Sequence, residues 1–143
     1  MGNAETKPRS NNNLKDDTIQ TQIPSHITKP TSNLVLAYNE GQFHPCIILD
    51  RARNISNGYE VFFLHNQTET EIFSGNVIGN FKALLECEVS FTIDGQSYTG
   101  KVFDMANNDQ NETRNFFICC DNQYFWVSFP FIYLTPEQAR QLR

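Results

Sequence analysis

The sequence predicts an all-β protein: two small barrels in tandem, a short C-terminal α-helix and a disordered polar tail in front. Three observations carry this reading. From Asn33 onward, short apolar runs alternate with turn residues at intervals of about 8–12 positions, the pattern of small antiparallel barrels or sandwiches. The series of runs starts afresh after about 50 residues, which points to a tandem repeat. Helix-start signals occur only at the end of the chain. With 143 residues there is room for one domain, or for two very small ones sharing a core.

Residues 1–32 are polar, asparagine-rich and interrupted by Pro8, Pro24 and Pro30. They offer too little apolar surface to offset the entropy of ordering and are expected to be mostly disordered, with "TIQTQI" (18–23) as a candidate edge strand. The first barrel is assigned to 33–80. "NLVLAY" ends in the turn "NEGQ", and "FHPCIILDRAR" runs to "NISNG", where Asn57-Gly58 marks a reversal before "YEVFFLH". "TEIFS" follows, and Gly75 and Gly79 punctuate the exit. The second barrel is assigned to 81–143. "CEVSFTI" turns at Asp94-Gly95, "QSYTGKVFDM" runs to the polar "ANNDQNET", and "RNFFICC" and "YFWVSF" complete the series. Thr135 as N-cap, Pro136 at the first helical position and Gln138 at the capping-box position start the helix. A helix this short is not stable alone, so Leu134 and Leu142 are expected to anchor it. Trp126 is expected between the second barrel and the helix.

Composition narrows the function classes. Eleven Lys/Arg against 16 Asp/Glu give a net charge of −5, and residues 33–143 alone carry −6. That is not the balance of a chain built to neutralise phosphates. Cys46, Cys87, Cys119 and Cys120 have no metal-site spacing and read as reduced, partly buried apolar residues. No apolar stretch approaches the ~20 residues needed to span a bilayer, and no secretory leader is recognisable. No nucleophile–base motif or glycine-rich phosphate loop is present, so the chain is not expected to be an enzyme or to need a cofactor.

Residues 33–143 resemble the tandem Tudor module of the DNA-damage checkpoint adaptors, the family of p53-binding protein one and its fungal counterparts. "ECEVSFTIDGQSYTGKVF", then Trp126, then "YLTPEQARQLR" are similar in order and spacing to that family's second Tudor strands and closing helix. "VLAY", "FHPCIILD" and "GYEVFF" are similar in layout to its first Tudor unit. The resemblance implies a nuclear, chromatin-binding module whose first barrel holds a methylated histone lysine in an aromatic cage. By position, Tyr38, Phe43 and Phe63 correspond to cage rings. The family's acidic residue and a further ring fall on His65 and Gln67 in this chain. Glu69 and Glu71 on the following strand, and Glu40 in the first turn, are the nearest carboxylates. Methylated ammonium groups suit such a cage because ring faces attract their diffuse charge and demand no hydrogen bond.

Two further readings come from the residues themselves. Arg51 and Arg53, with Lys101 and Arg114, could form a local basic patch that contacts double-stranded DNA near exposed rings. Alternatively the tandem barrel docks a protein partner and the cage is vestigial. In every case the module is expected to be monomeric and without metal or membrane contact.

Overall fold

The computed structural model describes residues 23–108 and 113–143. Its strands are β1 (Leu34–Asn39), β2 (Gln42–Arg51), β3 (Gly58–Phe63), β4 (Glu69–Phe73) and β5 (Val77–Ile78), then β6 (Glu88–Ile93), β7 (Gln96–Asn108), β8 (Thr113–Cys120), β9 (Gln123–Ser128) and β10 (Ile132–Tyr133). Two short helices, α1 (Ser25–Thr28) and α2 (Pro136–Arg140), flank them. The strands form two antiparallel five-stranded sheets with the same order, β4-β3-β2-β1-β5 and β9-β8-β7-β6-β10. The repeat seen in the sequence is thus a repeat of topology.

Local chemistry explains the hairpins. Two-residue turns that match the right-handed twist of the strands need both central residues at positive φ. Glu40 and Gly41 (54° and 90°), Asp94 and Gly95 (52° and 80°), and Asp121 and Asn122 (52° and 64°) supply this at β1–β2, β6–β7 and β8–β9. Glycine adopts such angles at no steric cost, and Asp and Asn tolerate them. Strand alternation then sorts the side chains. Val35, Ala37, Cys46, Val61, Phe63 and Val77 fill the first barrel. The opposite face of β1–β2, with Leu36 and Phe43, joins Val89, Phe91, Val102, Phe116 and Ile118 of the second sheet in a larger core that spans both barrels.

The barrels are also stitched through their backbones. The Phe43 amide donates to the Leu134 carbonyl at 2.8 Å, and the Leu134 amide donates to Phe43 at 3.1 Å. Helix α2 then begins with the expected capping box. Thr135 Oγ1 accepts from the Gln138 amide at 3.2 Å, while Gln138 Oε1 accepts from the Thr135 amide at 3.0 Å and from Ser90 Oγ at 3.1 Å. Leu134 and Leu142 are fully buried, as expected of anchors.

The last ten residues of the tail segment depart from expectation. Residues 1–22, with most of the "TIQTQI" segment, lie outside the described residues. Residues 23–32 are ordered: Ile27 is fully buried, and its carbonyl accepts from the Gly79 and Asn80 amides at 2.9 and 3.0 Å. A Cβ on Gly79 would lie 2.4 Å from Pro30 Cα, so only glycine permits this approach. Two isoleucines in a proline-broken segment leave no periodic signal, and their burial comes entirely from the barrel surface they meet.

Candidate functional site

The rings expected to form a cage do not converge. Tyr38 and Phe43 are directly cross-strand, with centroids 5.2 Å apart, and Tyr38 is half-buried. Phe43, however, has no exposed surface and belongs to the core between the barrels. Phe63 is equally closed but lies across from Cys46, inside the first barrel. Residues 43 and 46 are three apart on one strand and so face opposite ways. Phe43 and Phe63 therefore stand on opposite faces of the sheet and cannot grip one ligand.

The expected acids sit elsewhere too. Glu69 pairs with Phe62 and Glu71 with Glu60, on the face opposite Phe63. The Glu71 carboxylate is engaged by the β2–β3 loop, accepting from the Arg53 amide at 2.8 Å and the Asn54 amide at 3.2 Å. In place of a cage mouth, His65 stacks on His44 at 3.8 Å and turns an edge to Phe63 at 5.6 Å. His65 thus links the His44 ring to the Phe63 ring. Burial pushes the His44 pKa down to about 4, helped by the neighbouring His65 charge and opposed by Glu40.

The four basic residues do not form one patch. Arg51 and Arg53 leave β2 beside a cross-strand row of acids, Asp50, Glu60 and Glu71, and Arg53 pairs with Asp50 at 3.8 Å. Lys101 and Arg114 belong to the second sheet and lie over rings, Lys101 6.0 Å from the Phe103 centroid and Arg114 5.0 Å from that of Phe81. Arg114 is partly buried there, which lowers its basicity.

What the fold does present is a groove made of two adjoining pockets. One, about 340 Å³, lies between the barrels and is lined by Gln42, His44, His65, Ser97, Phe131 and Tyr133. The other, about 420 Å³, lies on the second barrel between the β6–β7 turn and the end of β9, and is lined by Asp94, Trp126, Ser128 and Phe131. Thr92 and Phe131 belong to both. Trp126 is not packed against α2 as its position suggested. Phe125 and Val127 take the inward places on β9, so Trp126 and Tyr124 face out, 55% and 52% exposed. Trp126 leans on Phe117 at 4.9 Å, and Phe117 stacks on Tyr124 at 5.2 Å. Strand alternation in "YFWVSF" could have signalled this outward row.

No known family profile and no curated protein sequence matches this chain. Among solved structures, the chain is similar to one described as "Crystal structure of Crb2 tandem tudor domains". The TM-score is 0.57 and the identity 19%, over 80% of this chain and 85% of that one. The fold is that of tandem Tudor domains. At this identity the likeness concerns backbone architecture, and the tandem Tudor groove has to be read from its own side chains.

Proposed function

We propose that this chain is a chromatin-reading module of a DNA-damage checkpoint adaptor, working in the nucleus by non-covalent capture of a basic, methylated histone tail. The reading is of a binding module and not of an enzyme. The observation that carries it is the pair of adjoining pockets, sharing Thr92 and Phe131, that lie between the His44–His65 stack and the Asp94–Trp126 end of the second barrel. Phe131, Tyr133 and Trp126 give it aromatic walls, and its two parts have volumes of about 340 and 420 Å³. The tandem Tudor fold and the net charge of −5 support the same partner class, because an acidic module attracts a basic tail.

The first-barrel rings contribute less than the resemblance implied. Phe43 and Phe63 are closed, leaving Tyr38 as the one ring of the three with exposed area. Recognition at micromolar strength needs about 8 kcal/mol in total, and each ring–cation contact supplies roughly 0.5–2 kcal/mol. Most of the affinity therefore comes from peptide contacts along the groove.

Amide-shift NMR of the full chain, titrated with histone-tail peptides in each methylation state and with a DNA duplex at two salt concentrations, tests this. Shifts at His44, His65, Phe131 and Tyr133 with the peptides are expected. Shifts that appear only with DNA, centre on Arg51 and Arg53 and fade steeply with salt would overturn it in favour of DNA binding.

A further inference from the structure

We infer that the pocket of Asp94, Trp126 and Phe131 on the second barrel is a recognition site for an alkylated ammonium group, the chemistry of a mono- or dimethylated lysine side chain. The inference rests on the peptide-reading proposal for its biological ligand, but its chemistry stands on the pocket alone. Trp126 and Phe131 are 55% and 53% exposed, and both line a pocket that has Asp94 at its rim. Neither ring is needed for the core, because Val127 and Phe129 fill the inward positions beside them.

Three features select a cation with an apolar shell. First, ring faces attract positive charge, tryptophan most strongly. This barrel already uses its rings so: Lys101 lies over Phe103 and Arg114 over Phe81. Among the described residues, no cation of this chain occupies the Trp126 or Phe131 face. Second, a carboxylate borders the same pocket. Asp94 sits in the tight β6–β7 turn at φ 52°, followed by Gly95 at 80°, so the hairpin fixes the backbone that carries it. Third, a bare ammonium is strongly hydrated and loses much by entering a ring-walled pocket, whereas methyl groups reduce that loss. A dimethyl-ammonium keeps one N–H, which the Asp94 carboxylate can accept. A second carboxylate, Asp104, continues the cross-strand row Trp126–Phe117–Asp104 on the same outward face, and a nearby cation, Lys101, lies over Phe103 on the neighbouring row.

The chain has a single tryptophan, so its fluorescence reports on this pocket directly. The full chain is titrated with Nα-acetyl-dimethyllysine methylamide and with the neutral isostere in which carbon replaces the side-chain nitrogen. Saturable quenching by the cation and none by the isostere is expected, with the amides of Asp94 and Phe131 shifting in parallel. Asp94→Asn should weaken the response about tenfold, in keeping with loss of a charge-assisted contact. Phe131→Ala, which keeps the reporter, should weaken it several-fold, and amide dispersion checks that both variants remain folded. Equal quenching by the isostere, or no quenching, overturns the inference. Histone peptides that bind while leaving Trp126 unmoved overturn it too, yet leave the reader proposal standing. A small cation that binds at Trp126 while no histone peptide binds upholds the site and overturns the histone reading.

Discussion

Phe43 shows how one side chain can be placed correctly in the sequence and still be assigned the wrong work. Its pairing with Tyr38 across the "NEGQ" turn is written in the turn residues, and the structure has that register. What the sequence does not carry is which face of β2 meets the second barrel. Phe43 lies in the shared core with no exposed surface, so Phe43→Ala should lower stability by about 3–5 kcal/mol, measured by urea denaturation. A ligand-cage residue of the same type would have cost far less. His44 makes a second residue-scale prediction. Its folded pKa, about 4, lies below the ordinary 6.5, so between these values the unfolded chain binds the extra proton. The stability this group contributes is whole above pH 6.5 and is lost as the pH falls toward 4. Thermal melts across that range should show a downward slope that is reduced in His44→Gln.

At the scale of elements, turns and caps were legible because each rests on a short, local rule. Asp94-Gly95 and the Thr135–Gln138 capping box are such cases, and Thr135→Ala should cost about 1 kcal/mol through loss of the cap. Elements fixed by distant surfaces were not legible. Helix α1 has four residues and one fully buried side chain, and it exists because Ile27 finds a seat beside Gly79. Gly79→Val would drive a side chain into Pro30. Amide exchange at Ile27 and Thr31 should rise sharply in that variant, while the strands of the second sheet keep their protection. The outward row of Tyr124 and Trp126 falls between these cases. Its alternation was readable, but the direction of that alternation depends on the core to which β9 is committed.

At the scale of the molecule, the sequence carried the fold class and the repeat, and did not carry the degree to which the barrels share one interior. The larger core draws on β1, β2, both helices and the second sheet, whereas the first barrel's own cluster is small. The two units should therefore unfold together. Urea transitions followed by Trp126 fluorescence in the second barrel and by thiol accessibility of Cys46 in the first should coincide, and separate midpoints would mean independent domains. Cys46 suits the purpose, since burial raises its thiol pKa to about 12 and keeps it unreactive until the barrel opens.

The Phe43–Leu134 bridge has a consequence for how the chain is made. The first barrel presents its apolar outer face to the second barrel and to Leu134 beyond it, so that face stays uncovered while the second half is still being translated. At about 5–20 residues per second, the roughly 60 residues of the second half take on the order of 3–12 s. During that interval a nascent chain carries bare Leu36 and Phe43, both destined for the shared core. Its safe maturation depends on reaching Leu134, and messages truncated before that residue should yield aggregates in place of a soluble half-molecule.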